Sequence, residues 1–172
     1  MDKRIKDIID HFQFEILPVE GTFFKQTYRS PILNDEGTPL STAMIGMYCN
    51  SPWSYSSFHK LTQDETWHFY FGDALTLYLL HENGTMEEIT MGPNIEKGEL
   101  IQYTVPAGVW QAGCTKEGGQ FSIFGCTLSP GFTSSCFETA TAAYLIENYP
   151  NQKDIILKLS TNGNETKMPE GY

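Results

Sequence analysis

The apolar positions of the chain change their period as it proceeds. Ile5, Ile8, Ile9 and Phe12 recur at helical spacing among charged residues, which predicts an amphipathic helix over residues 2–12 on the outside of a domain. A turn at Gly21 then leads into the alternating, aromatic-rich segment from Thr22 to Arg29. Turn residues from Asn34 to Pro39 predict a loop, and the apolar content from Thr42 to Tyr48 predicts a further strand. Strand signals are strongest in the centre, at Thr66 to Phe71, Leu75 to Leu80, Glu87 to Met91, Leu100 to Val105, Val109 to Cys114 and Phe121 to Leu128. The Glu82-Asn83-Gly84-Thr85 segment between two of these runs predicts a hairpin, because Asn-Gly accepts positive φ cheaply. Short strands at near-regular spacing, with no helix between them, predict an antiparallel sandwich or barrel. After Pro130-Gly131 the pattern turns helical, with one helix predicted from Phe137 to Asn148 and another within residues 151–159. The expected organisation is one all-β domain over residues 1–160 and a flexible polar tail over residues 161–172.

Composition supports this reading. The chain has 172 residues, enough for one domain with a sizeable core, and an aromatic content of 13% with 15 Gly and 9 Pro suits many short strands and turns. Eleven basic against 21 acidic residues give a formal charge of −10, which argues against nucleic acid or anionic membrane as partners. The N-terminus lacks the apolar stretch of a secretion signal and no run reaches transmembrane length, so a cytoplasmic location is expected. The Asn-x-Thr sequons at Asn83 and Asn164 are accordingly expected to be unmodified. Cys49, Cys114, Cys126 and Cys136 show no CxxC spacing and read as packed thiols; Cys126, in the last strand, could line a pocket.

The reactive side chains concentrate between His59 and Gly72. Strand alternation groups Glu65 with Trp67, Phe69 and Phe71, and sends Thr66, His68 and Tyr70 to the opposite face. His59 and Leu61 share a face two residues apart. A Pro106-x-Gly108 corner precedes Gln111 and can aim that side chain into a barrel.

These spacings resemble those of the cupins. His59-x-Leu61-x3-Glu65 followed by Gly72 is similar to the first cupin motif, and Pro106-x-Gly108-x2-Gln111 to the second. The likeness is closer to the DUF985 (cupin-5) branch, whose function is uncharacterised. It is carried by Glu20-Gly21 with Thr27 to Ser30, by His59 to Gly72, by Val105 to Gln111 and by Gly125 to Phe132. The resemblance implies a double-stranded β-helix, or jelly roll, with a short N-terminal helix and C-terminal helical segments, and a homodimer. In metal-binding cupins two histidines and a glutamate come from the first motif and a third histidine from the second. Here Leu61 and Gln111 stand at two of those positions. His59, Glu65 and Gln111 would be the remaining metal ligands, for a weakly held divalent ion at most. The other reading is a metal-free polar cluster at the pocket floor, in which Glu65 accepts a hydrogen bond from His59 or Gln111.

The expected function is binding of a small polar metabolite, sugar-like or anionic, in the barrel interior, with isomerase or epimerase chemistry. The alternatives are a non-catalytic binding or sensing protein and a metal-dependent cupin enzyme. His59 and Glu65 are the candidate catalytic groups. Gln111, Trp67, Phe69, Phe71, Tyr28 and Arg29 are the candidate ligand contacts, the last two by resemblance to the sugar-nucleotide epimerase branch. Ordinary barrel core is the competing role for the aromatics and a surface ion pair for Arg29. Glu20 and Glu138 are weaker candidates, and His11 and His81 carry no assigned role.

Overall fold

The computed structural model describes residues 2–161 and 166–172; the Asn164 sequon and most of the junction to the expected tail lie outside them. Two antiparallel sheets face each other in a jelly roll. One contains β1 (Glu15–Ile16), β2 (Phe23–Arg29), β3 (Thr42–Asn50), β4 (Trp53–Ser54), β6 (Glu65–Gly72), β9 (Gln102–Val105) and β11 (Phe121–Leu128). Its strand order is β1-β2-β3-β11-β6-β9, with β4 pairing with β3. The other contains β5 (Ser56–Leu61), β7 (Leu75–Leu80), β8 (Met86–Met91), β10 (Trp110–Thr115) and β12 (Phe137–Thr139), in the order β12-β5-β10-β7-β8.

Alternation decides what each strand gives to the interior. On β7, Leu75, Leu77 and Leu79 point inward against Tyr48, Trp67, Ile89, Met91, Val105 and Phe124. Each such leucine contributes about 1.5–3 kcal/mol by leaving water. The outer faces are covered as well. Helix α1 (Lys3–Phe12), capped by the Asp2 carboxylate, lays Ile5 over Met47, Cys49, Phe121 and Ile123. Helices α2 (Ala142–Asn148) and α3 (Lys153–Lys158) cover Phe58, Trp110, Ala112 and Cys114 with Leu145, Tyr149 and Ile156. Because both faces of β5 and β10 are covered, these strands are buried nearly throughout, and their sequences show little polar alternation.

Two elements differ from expectation. Residues 137–139, expected to begin a helix, form β12, which pairs with β5. The open edge of β5 offers a ladder that local helix propensity cannot match, and Thr139 Oγ1 donates to the Phe58 carbonyl at 2.6 Å. The helix starts only at Ala142, where Thr141 caps it. Residues 166–172, expected to be a flexible tail, lie against the barrel. Thr139 N–H donates to Thr166 O at 3.1 Å, and Met168 is buried beside Leu61, Leu128 and Phe137.

The filled end of the sandwich depends on one absent side chain. Gly46 pairs with Phe124, and a Cβ there would sit 2.5 Å from the Phe124 ring. That ring is fully buried against Tyr48 and Trp67 and has no free space to enter. Gly46→Ala is therefore expected to lower stability by about 1–3 kcal/mol through overpacking, measured as a reduced urea midpoint with an unchanged m-value.

Candidate functional site

At the other end of the sandwich the interior stays open, as a cavity of about 260 Å³. Its floor carries His59, Glu20, Glu65 and Cys126; Leu17, Phe24, Leu61, Leu128, Phe132 and Phe137 form apolar walls; Glu15, Lys25, Gln26 and Tyr172 also line it. β5 supplies His59 and Leu61, β6 supplies Glu65, β11 supplies Cys126 and Leu128, β2 supplies Phe24 and β12 supplies Phe137, so strands of both sheets fix the site.

The hydrogen-bond chain behind Glu65 has one possible direction. The Trp67 indole N–H can only donate, and it donates to Gln111 Oε1 at 3.0 Å. That turns the amide nitrogen of Gln111 toward Glu65, where it donates to Oε2 at 2.8 Å. Burial pushes the Glu65 carboxyl up to about 7; Glu20 adds to the rise, while His59, the Gln111 amide and the Cys126 thiol oppose it. His59 is 3% exposed, and its Nδ1 lies 2.8 Å from the Ser57 carbonyl oxygen. A carbonyl only accepts, so Nδ1 carries the proton and Nε2 is left as the acceptor of the neutral ring. The imidazole stacks on Phe137 at 5.1 Å, which fixes its plane.

Of the sequence candidates, the structure brings His59, Glu65, Cys126 and the lower-ranked Glu20 to the cavity. Gln111 lies behind them, 2% exposed, with its oxygen committed to Trp67. Trp67 belongs to the core and Phe69 packs against it. Phe71 leaves the inner face because the pairing of β6 with β11 shifts register between Phe69 and Phe71. It is 42% exposed and meets Phe121 edge-on. A second shift, between Gln26 and Tyr28 on β2, leaves Tyr28 half-exposed and outside the cavity lining. Arg29 donates to the Phe132 carbonyl at 3.0 Å, bracing a cavity wall without reaching the cavity. His68 is on the opposite face from Glu65, bonded to Thr127 and Gln102. Glu138 pairs with Lys60 at 3.4 Å.

Sequence reasoning ranked Glu20 low and omitted Tyr172. Glu20 reaches the floor because the backbone doubles back between Leu17 and Gly21, with Val19 at φ 67. Tyr172 stands 6.2 Å from Phe24. Met168 and Tyr172 are the large side chains able to anchor the terminal segment, and they were the available signal.

The donor set does not fit the metal that the cupin resemblance implies. Leu61 is apolar, and the Gln111 oxygen accepts from Trp67 while its nitrogen, a donor, faces Glu65. One imidazole and one carboxylate remain of the expected His59, Glu65 and Gln111 set. Among the described residues no group of three His, Cys, Asp or Glu side chains could hold a metal ion. No helix among them is long and apolar enough to cross a membrane.

A jelly roll whose interior cavity is lined by a histidine from β5 and a glutamate from β6 has the arrangement of a cupin. The chain belongs to the cupin superfamily family DUF985, whose profile matches residues 6–140. Protein SO0799 from Shewanella oneidensis is 33% identical with a TM-score of 0.84, covering 92% of this chain and 98% of that one. A hypothetical protein from Leishmania major is 28% identical with a TM-score of 0.80, covering 91% and 98%. Oxalate decarboxylase from Bacillus subtilis shares the fold at 12% identity and a TM-score of 0.53, covering 92% of this chain and 40% of its own. No curated protein sequence matches this chain.

The raised Glu65 carboxyl sets a pH signature. Between pH 4.5 and about 7 the folded state keeps a proton that the unfolded chain releases, so stability falls across that window and levels off above it. Glu65→Gln removes this dependence. The stability difference between variant and wild type should change by about 3 kcal/mol over the window, read by urea unfolding at successive pH values. A carboxyl carbon-13 NMR midpoint for Glu65 in the ordinary glutamate range would contradict it.

Proposed function

We propose that this chain is a small-molecule enzyme that isomerises or epimerises a hydroxyl-rich metabolite in the barrel cavity. The observation that carries the reading is a buried carboxyl poised near neutrality in the same enclosed space as an imidazole with a free Nε2. A group titrating near the working pH both takes and returns protons efficiently, which proton abstraction beside a carbonyl requires. Glu65 is assigned as the general acid–base and His59 as its partner at the substrate. Gln111 positions the Glu65 carboxyl. The aromatic and aliphatic walls suit the carbon face of a sugar-sized molecule, and the volume equals about nine waters.

Anionic metabolites, one of the two ligand classes expected from the sequence, fit this interior poorly. Glu15, Glu20 and Glu65 all line it, and Lys25 is held toward Glu15 at 3.8 Å. Desolvating an anion against carboxylates opposes binding.

Mass spectrometry of molecules retained by the native protein should identify a polar metabolite. Incubated in deuterium oxide with wild type, that molecule should gain deuterium at one carbon. Glu65→Gln should slow the exchange by about 10²–10⁴-fold while retaining binding. Unchanged binding with no deuterium entering the retained molecule, even with wild type, would replace catalysis by a binding or sensing role.

A further inference from the structure

Glu20 stands apart from the proton-transfer pair. It is 94% buried by its 6% exposure, lines the cavity, and forms no ion pair with any described residue. Thr22 Oγ1 donates to its Oε1 at 2.5 Å and Ser56 Oγ at 2.6 Å. The Tyr48 hydroxyl lies 2.6 Å from Ser56 Oγ. Thr22 Oγ1 also lies 2.8 Å from Ser56 Oγ and 3.2 Å from the Tyr55 carbonyl oxygen, and a chain in which Tyr48 donates to Ser56 and Ser56 to Glu20 fits these distances. The backbone is pinned as well: Ser57 N–H and its hydroxyl both donate to the Glu20 carbonyl, at 3.0 and 2.9 Å. One carboxylate oxygen is thus saturated by rigid donors, while Oε2 has no hydrogen-bond partner among the described residues.

A fixed acceptor in an enclosed, net acidic cavity calls for a donor that brings positive charge. Phe24, Phe132, Phe137 and Tyr172 line the same space, and aromatic rings attract cations and aliphatic faces alike. Lys25 lies against Glu15 rather than Glu20. The chain's formal charge of −10 favours the approach of a cation over that of an anion.

We propose that Glu20 is the specificity residue of the cavity, seating the ammonium group of a small hydroxylated amine against Oε2 while Glu65 and His59 face its reacting carbon. This rests on the cavity being the ligand site, and it narrows the substrate class from hydroxylated carbonyl compounds in general to those that also carry an amine. Glu20 holds the ligand and takes no proton from the reacting carbon.

The test uses two molecules of one shape, tris(hydroxymethyl)methylammonium and pentaerythritol, which differ by an ammonium in place of a hydroxymethyl group. Each is titrated into the full chain and followed by NMR shifts of cavity residues. Wild type should bind the ammonium about tenfold more tightly, one charge-assisted hydrogen bond's worth. Glu20→Gln should bring the two near parity, and Glu65→Gln should keep the preference. Intermolecular NOEs between the ammonium probe's methylenes and the Glu20 side chain of wild type locate the contact without any variant. Equal binding of the two probes, a preference surviving in Glu20→Gln, or no cavity shift with either probe would overturn the assignment. Deuterium exchange dependent on Glu65 involves neither probe, so its persistence would leave the isomerase reading standing when this one fails.

Discussion

The donor-only character of one indole nitrogen organises the site. Trp67 N–H has a single option inside a dry core, and Gln111 is the acceptor placed there. Once that bond forms, the amide of Gln111 cannot flip, and its nitrogen must meet the carboxyl of Glu65. A buried carboxyl accepting one neutral hydrogen bond, without a full ion pair, is stabilised too little to offset its lost hydration. Its affinity for a proton rises toward neutrality as a consequence. The unusual protonation of Glu65 therefore follows from its burial, which the Gln111 amide turned toward it by Trp67 only partly offsets. Replacing the donor by a histidine, as in metal-binding cupins, would present a ligand nitrogen where this chain presents an amide N–H.

The same division of labour runs through the whole sandwich. One end is filled by the leucines of β7 and the rings of Tyr48, Trp67 and Phe124, and it supplies the stability. The other end is widened by polar side chains that must be satisfied. Each one is held on one atom by a partner fixed elsewhere: Glu65 by Gln111, His59 by the Ser57 carbonyl, Glu20 by Thr22 and Ser56. Tyr48 belongs to both ends, with its ring in the core and its hydroxyl in the Glu20 chain. Core packing and site geometry are coupled through Tyr48 and Trp67, so repacking the filled end would disturb the open one.

Strands with a solvent-facing or helix-facing alternation were legible in the sequence, as was the Asn83-Gly84 hairpin, because their periodicity is local. The placement of His59 and Glu65 on one cavity followed from the resemblance of their spacing to the first cupin motif. What was not legible depended on pairing between distant segments. Two register shifts, on β2 and β6, remove Tyr28 and Phe71 from the face that strict alternation assigns them. β12 exists because β5 has an edge to satisfy, a fact absent from residues 137–139 themselves. Glu20 ranked only as a weaker candidate; its burial depends on Thr22, Ser56 and Tyr48 converging from three different strands or loops. The terminal segment carries only two anchoring side chains in a polar stretch, too weak a pattern to distinguish from a free tail.

Fold likeness by itself would have led elsewhere. Oxalate decarboxylase shares this architecture at 12% identity, a level at which the barrel is common property and the donor set is not. In the present chain the two interior carboxyls are held in opposite ways. Glu20 accepts on one oxygen from two hydroxyl donors, which favours a fixed acceptor. Glu65 accepts from the Gln111 amide and is buried beside His59 and Cys126, which favours a group that changes protonation. Two identical side chains in one cavity are thereby made chemically unlike by their neighbours alone. On the proposed reading, this difference separates a carboxyl that binds from one that transfers a proton.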